Sequence, residues 1–317
     1  MSTTRIITIT CWAISALALS GLIVWFIMSD VFSGEFGNYE PIGTYSIPAD
    51  DIDTLLIDWT AGAINIRSHD GDEIQITEFA RPGRREVEHL RLSHDGNEGN
   101  ILAIYFAEHQ GMQTTFILNN IPSKQLEVLI PYALSENLQS LHIENISGRI
   151  EINNIHANDF IVETVSGRIE LSSITSQVLN TSTISGRITL SNTQAEEIYL
   201  QAVSGRITAT GTQTQYLHTN TVSGRHNLSG SFSRLVDTSS TSGRIEITST
   251  IVPENLTAHT ASGRIHVTVP NEGAINVQHS ASSRFSSEIP IITHGDADAH
   301  FNLSTSSGRI SIYELRR

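Results

Sequence analysis

A four-residue word, Ser-Gly-Arg-Ile, recurs along the second half of the chain at nearly constant spacing. It begins at residues 147, 166, 185, 204, 242, 262 and 307, with the variants Ser-Gly-Arg-His at 223 and Ser-Ser-Arg-Phe at 282. The successive intervals are 19, 19, 19, 19, 19, 20, 20 and 25 residues. A unit this short cannot enclose a core alone, whereas stacked units pair with their neighbours and bury a continuous core. The spacing therefore predicts an all-β protein, a β-solenoid of stacked coils of 19 to 20 residues.

Each unit also carries the alternation of a strand with one buried face. The residue after the arginine is apolar and so is the one two further on, as at Ile169 and Leu171, while the residue between them is polar. A second apolar pair, such as Phe160 and Val162, indicates a second strand in the same unit. The inward positions change parity between the two strands. We therefore place a corner at the glycine of each word, Gly167 in this unit, where a residue without a side chain is favoured.

The N-terminal end has the pattern of a membrane anchor. Residues 6–28 run for 23 positions without a charge, which is long enough to cross a membrane as a helix. A cleaved signal peptide, the alternative, normally has a shorter apolar region, so a retained single-pass anchor is preferred. Arg5 precedes the stretch and Asp30 and Glu35 follow it, which favours a cytoplasmic N-terminus and an extracytoplasmic C-terminal part.

These patterns divide the chain into four parts. Residues 1–28 form the anchor, and residues 29–44, with glycine, proline and acidic residues, form a linker. Residues 45–143 carry several strand-like segments without a clear repeat and form a β-rich lead-in. Residues 144–317 form the repeat solenoid.

Composition excludes some functions. The formal net charge of −14 argues against binding to nucleic acid, which needs a basic face to neutralise phosphates. Cys11 is the only cysteine and lies inside the apolar stretch, so no disulfide forms within the exported part. No Gly-x-Ser-x-Gly elbow, phosphate-binding glycine loop or cysteine pair occurs, and we expect neither an enzyme nor a cofactor. The enzyme alternative is a β-helix glycan lyase or hydrolase that uses carboxylates and an arginine on one face.

The arginines of the repeat words are the main candidate binding residues. Stacking would align them about 4.8 Å apart along one edge, which forms a stripe suited to anionic polymers, because guanidinium groups bind carboxylates and phosphates. The competing structural interpretation is that they pair with Glu151, Glu170, Glu246 and corner carbonyls. The stripe comprises Arg149, Arg168, Arg187, Arg206, Arg225, Arg244, Arg264, Arg284 and Arg309.

A second candidate site lies in the 25-residue interval. His294, Asp296, Asp298 and His300 alternate, so they would share one face of an extended segment, and both residue types bind divalent metal ions. The alternative is a polar inserted loop without a ligand.

Several of these stretches resemble the bacterial surface proteins known as "putative adhesins". The resemblance rests on the lead-in sequence at 54–79, the bridging sequence at 126–152 and the Ser-Gly-x-Ile corners, and it spans about residues 45–315. It implies repeated β-strands at the cell surface and no settled biochemical activity. Members of that family commonly carry Asp or Lys after the corner glycine, so the nearly invariant arginine here is a departure, and the resemblance implies no ligand.

Three classes of function therefore stay open. The first is binding or adhesion to an anionic polysaccharide or another envelope polymer. The second is structural assembly or envelope-stress signalling through protein partners. The third is glycan cleavage.

Overall fold

The structure is a computed structural model that describes residues 39–82, 89–95, 100–106, 123–281, 284–292 and 297–316. The predicted membrane span at 6–28 lies outside these residues. Within the described part of the chain, no helix has the length and apolar character needed to cross a membrane.

The described chain is almost entirely β-strand, as the repeat predicts. Its fifteen strands form one continuous sheet that bends around the core. A single four-residue helix, α1 (Tyr132–Ser135), interrupts them. The strands are β1 (Glu40–Pro48), β2 (Thr54–Ala61), β3 (Ile64–His69), β4 (Glu73–Ala80), β5 (Arg91–Asp95), β6 (Ile101–Tyr105), β7 (Gln125–Pro131), β8 (Leu138–Asn153), β9 (Ala157–Ser172), β10 (Thr175–Ser191), β11 (Gln194–Ser249), β12 (Asn255–Val269), β13 (Ile275–Ala281), β14 (Arg284–Ser287) and β15 (Ala299–Glu314).

The repeat coils stack in parallel with each word aligned on the next. Arg149 pairs with Arg168, Arg168 with Arg187, and Arg187 with Arg206. The long strand β11 runs without interruption through several coils, and it continues the stack to β12. This register confirms the β-solenoid. Strand β8 begins at Leu138, before the predicted start of the repeat at 144.

Each coil buries alternate residues on both sides of its corner. In β9 the buried residues before the corner are Phe160, Val162 and Thr164, and those after it are Ile169 and Leu171. No residue between Thr164 and Ile169 is buried, so the inward positions change parity at the corner, as the sequence indicates. The core is therefore a set of parallel columns that run along the stack axis.

A second turn closes each coil on the side opposite the Ser-Gly corner. Its central residue has a positive φ in four successive coils: 56° at Asn154, 54° at Ser173, 50° at Asn192 and 64° at Gly211. Asparagine and glycine tolerate this left-handed conformation best. The turns also stack, since the amide of Ser173 donates to the carbonyl of Ser191 at 2.9 Å.

The lead-in continues the solenoid toward the N-terminus. Strand β2 pairs with β8 in parallel and sets Ala61 opposite Ser147, so Ala61 and Gly62 form a corner in register with the repeat. The amide of Lys124 donates to the carbonyl of Ala61 at 3.1 Å and stacks beyond that corner. The lead-in therefore supplies the first coils of the stack.

Antiparallel strands cover this N-terminal end. Strand β4 pairs with β7 and β1 pairs with β4, both antiparallel. We call β1, β4 and β7 the cap. The predicted linker at 29–44 is too long, because β1 begins at Glu40, where the chain joins β4 and packs Tyr45 and Ile47 against the core.

At the other end the coils do not follow sequence order. Strand β15 lies between β12 and the pair β13 and β14, so that Arg309 aligns with Arg264 on one side and Arg284 on the other. His259 and His279 therefore do not lie in adjacent coils, because β15 separates their strands. The degenerate word has Ser283 where the others have glycine.

Candidate functional site

The corner glycines set the geometry of the candidate site. A Cβ atom added to Gly205 would lie 1.7 Å from the carbonyl oxygen of Gly186 in the preceding coil. The same contact, at 1.6 to 2.0 Å, recurs at every corner glycine from Gly148 to Gly308. The sequence predicted glycine here for its backbone freedom, whereas the closeness of successive coils is the stronger reason.

This corner directs each arginine outward. The arginine follows the glycine and precedes a buried residue, so the alternation of the strand places its side chain on the outer surface. The parallel register then aligns all nine predicted arginines along one edge, with a spacing of about 4.8 Å between coils. In stack order they are Arg149, Arg168, Arg187, Arg206, Arg225, Arg244, Arg264, Arg309 and Arg284.

Three of these arginines are paired as the structural interpretation expects. Arg149 contacts Glu151 at 3.0 Å and also bonds Glu170, and Arg168 lies 3.5 Å from Glu170. Farther along, Arg244 bonds Glu246 at 3.0 Å. These side chains are partly exposed, so each pair contributes only about 0.2 to 1 kcal/mol.

The three arginines between these groups have no such partner. We call Arg187, Arg206 and Arg225 the central arginine patch. The paired arginines each have a glutamate two residues later in the sequence. At the same position after the three central arginines the chain has Thr189, Thr208 and Asn227. All three arginines are exposed, and none forms an ion pair within the described part of the chain.

A second group without an ion pair to any described residue lies near the C-terminal end, where Arg264, Arg309 and Arg284 are aligned and exposed. His266 lies beside them. Burial lowers the pKa of His266; Arg244, Arg264 and Arg309 lower it further, and Glu246 opposes them.

An apolar groove adjoins the corners on the outer surface. Because the inward positions change parity at the corner, the residue immediately before each Ser-Gly pair lies on the outer surface. In five coils this residue is a branched apolar one. Ile146 is 39% exposed and Val222 is 52% exposed. The groove has a volume of about 560 Å³. Its apolar column is Ile146, Val165, Ile184, Val203 and Val222, and the flanking column is Asp58, Glu144, Glu163, Ser182, Gln201 and Asn220.

Sequence reasoning missed a buried polar feature behind this surface. His226 replaces the usual isoleucine and is fully buried, with its two ring nitrogens 3.0 Å from Thr219 Oγ1 and 2.9 Å from Thr221 Oγ1. Burial lowers the pKa of His226 to about 4. The signal was present, because threonines occupy the inward positions of the same coil.

The predicted metal site is only partly described. His294 and Asp296 lie outside the described residues. Asp298 Oδ2 accepts a hydrogen bond from the amide of Ala274 at 2.9 Å and so fixes a turn, while His300 is exposed on β15. In the described ranges no cluster of three His, Cys, Asp or Glu side chains could hold a metal ion.

Comparisons with known proteins agree with this architecture. The model of one family, described as Toastrack DUF4097, matches residues 52–313. A "putative adhesin" from Parabacteroides distasonis is similar in structure, with a TM-score of 0.51, 13% sequence identity, and coverage of 87% of this chain and 98% of that one. A "putative lipid binding protein" from the same organism has a TM-score of 0.51, 16% identity, and coverage of 89% and 98%. Comparison with curated protein sequences finds no match.

Proposed function

The chain belongs to the Toastrack family, and we propose that it is a membrane-anchored, extracytoplasmic binding protein that holds an extended anionic polymer along the central arginine patch. The span at 6–28 would act as the anchor, and the solenoid would display its arginine edge outside the cell. We propose no enzymatic role. The sequence contains none of the nucleophile or phosphate-binding motifs named above.

The observation that carries this proposal is that three aligned arginines have no carboxylate beside them among the residues that the structure describes. Like charges about 4.8 Å apart repel one another, and the repulsion is relieved where a carboxylate sits alongside, as at Glu170 and Glu246. At Arg187, Arg206 and Arg225 the same column is neutral. An anion from outside would supply the missing charge.

An extended ligand fits this arrangement better than a small one. A small anion meets one or two guanidinium groups, whereas a polymer with a charge on each unit meets all three at once. Linked contacts of this kind raise affinity without any new type of interaction, and salt weakens them. The names of the similar solved structures, an adhesin and a lipid-binding protein, are consistent with a binding role in the family.

A structural role through a protein partner is the second candidate. The apolar groove favours it, because five branched apolar side chains line an outer surface that a soluble rod would otherwise make polar. Assembly or envelope signalling would use this groove rather than the arginines.

Binding of the purified full-length protein to polygalacturonate and polyphosphate, with neutral dextran as the reference, tests the proposal. We expect the triple variant Arg187→Gln, Arg206→Gln, Arg225→Gln to bind the polyanions about tenfold more weakly at low salt. The difference should shrink as salt is added.

A matched triple variant, Arg149→Gln, Arg168→Gln, Arg244→Gln, lowers the net charge equally but removes paired arginines. It should bind much more like the parent. If the folded central variant binds as tightly as the parent, the polymer proposal is wrong, and the groove becomes the site to pursue. Circular dichroism establishes that both variants are folded before binding is compared.

A further inference from the structure

The chain buries its single lysine against a glutamate at the capped end. Lys124 precedes β7, and Glu78 lies on the neighbouring strand β4; their side chains are 1% and 0% exposed. The lysine Nζ lies 2.5 Å from Glu78 Oε1 and 2.5 Å from the carbonyl oxygen of Phe106. The rings of Phe106 and Trp59 lie over the nitrogen, with centroids at 4.1 and 5.3 Å. Water is therefore excluded from the pair.

Composition marks this position as specific for lysine. The chain has 19 lysine and arginine residues in total, and all of them except Lys124 are arginines. Arginine is also the residue of choice for a buried ion pair, because its planar group binds a carboxylate through two hydrogen bonds. A primary amine differs from a guanidinium in that it becomes a nucleophile once deprotonated.

The two oxygens of Glu78 are held differently. Oε2 accepts a hydrogen bond from the amide of Leu90 at 3.0 Å, and His89 Nδ1 lies 3.5 Å away. Oε1 touches Nζ but receives no hydrogen bond from any described residue, so the nitrogen approaches it from outside the hydrogen-bonding direction. The carboxyl thus has one oxygen with a backbone donor, where negative charge can develop, and one oxygen against the amine.

We propose that Lys124 and Glu78 condense into a side-chain amide that cross-links the cap to the first corner. A proton passes from Nζ to the carboxyl group, and Nζ then forms a bond to Cδ. Negative charge on Oε2 is stabilised by the Leu90 amide. Oε1, which holds the first proton, takes one more from Nζ and leaves as water, and the amide nitrogen keeps one hydrogen. The ammonium and carboxylate become one amide and one water molecule, and no oxidant or other reactant is required.

The cross-link would serve the N-terminal end of the stack. A covalent bond between β4 and the residue stacked on Gly62 would close the chain between residues 78 and 124. Closing a chain segment of this length stabilises a fold chiefly by restricting the unfolded state. The cross-link is independent of polymer binding, so either proposal can fail without the other.

Digestion of the denatured full-length protein with an endoproteinase that cuts after lysine tests the cross-link. Because Lys124 is the only lysine, an unmodified chain gives two fragments, 1–124 and 125–317. We expect the parent to remain one species after digestion. Tryptic digestion should give residues 68–84 joined to residues 92–149, lighter than the sum of the two peptides by one water.

Two variants separate the cross-link from other causes of resistance. Glu78→Ala removes the acceptor, and the denatured variant should be cut into two fragments whether or not it folds. Glu73→Ala removes an exposed carboxylate on the same strand and should resist like the parent. Cleavage of the mature parent into two fragments of unmodified mass would overturn the proposal, and so would resistance of Glu78→Ala.

Discussion

The repeat coils and the capped N-terminal end achieve the same stacking by different means. In the repeat, equivalent residues align in parallel columns, and the corner column is glycine because the coils approach too closely for a side chain. At the capped end Lys124 takes the outermost corner place, and the antiparallel cap covers the edge. A solenoid can thus use one residue type inside the stack, but its end needs a unique structure because no further coil covers it.

The interiors of the two regions differ as well. Near the cap, Ile57, Ile66 and Ile76 fill the core with aliphatic side chains. In the central coils, hydroxyl groups replace part of this packing, and Thr219 and Thr221 bond across coils to Thr238 and Ser240. Neighbouring coils thus satisfy some of the inward hydroxyl groups, and we expect the stability of these coils to depend on pH and on single hydroxyl groups.

The largest expected effect comes from adding a side chain at a corner. Gly205→Ala places a Cβ about 1.7 Å from the carbonyl oxygen of Gly186, so the two coils must separate. Because this breaks a backbone ladder in mid-stack, we expect a loss of more than about 4 kcal/mol in the free energy of unfolding, measured by urea denaturation.

Gly211 provides the matched control for this variant. It lies in the opposite turn, where Asn154 and Asn192 occupy the same place with positive φ. The added Cβ of Gly211→Asn would meet only the side-chain oxygen of Asn192 at 2.7 Å, which can rotate away. We expect a change within about 1 kcal/mol. If both variants lost the same free energy of unfolding, the close approach of the coils would not explain the corner glycine, and its backbone freedom would.

The period of the repeat determined most of what could be predicted. The alternation at Ile169 and Leu171 identified the buried face, and the interval of 19 residues fixed which arginines align. The order of the last coils could not be predicted, because a parallel strand pairs equally well on either side, and the long interval before Ser307 allows both. The partners of each arginine depend on a different column, whose residues vary from Glu170 to Thr189.

The buried hydroxyl groups were harder to anticipate. Thr164 continues the inward alternation of Phe160 and Val162, and Thr183 occupies the same place in the next coil, but a threonine next to a corner is also expected on a surface. Only the three-dimensional stack shows that a neighbouring coil covers each of them. The cap could not be predicted either, because nothing in the sequence of β4 and β7 distinguishes antiparallel from parallel pairing.

A smaller effect is expected from acid in the central coils. In the unfolded chain His226 has a pKa of about 6.5, whereas burial holds it at about 4 in the folded protein. Between these values the unfolded state binds a proton that the folded state does not. The contribution of His226 to the free energy of unfolding should therefore be fully present above pH 6.5. It should fall by about 3 kcal/mol as the pH falls toward 4.

Replacement of this histidine isolates its contribution from that of the many carboxylates. His226→Ile restores the residue found in the flanking coils at Ile207 and Ile245, and Thr219 and Thr221 keep their bonds to Thr238 and Ser240. The variant should lose less stability than the parent between pH 6.5 and 4 in urea titrations. Parallel curves for parent and variant would show that His226 is protonated without cost.

The smallest effect has opposite signs at two threonines of the same inward column. Thr183 Oγ1 is buried and has no hydrogen-bond partner among the described residues, whereas Thr221 Oγ1 bonds both His226 and Ser240. An unsatisfied buried hydroxyl destabilises, so Thr183→Val, which keeps the shape, should raise the free energy of unfolding by about 1 kcal/mol. Thr221→Val removes two bonds and leaves two polar groups without a partner, so it should lower the same quantity by about 1 to 3 kcal/mol. Destabilisation by both variants would mean that the hydroxyl of Thr183 also has a partner, such as a water molecule between coils, and that the whole column is a hydrogen-bonded ladder.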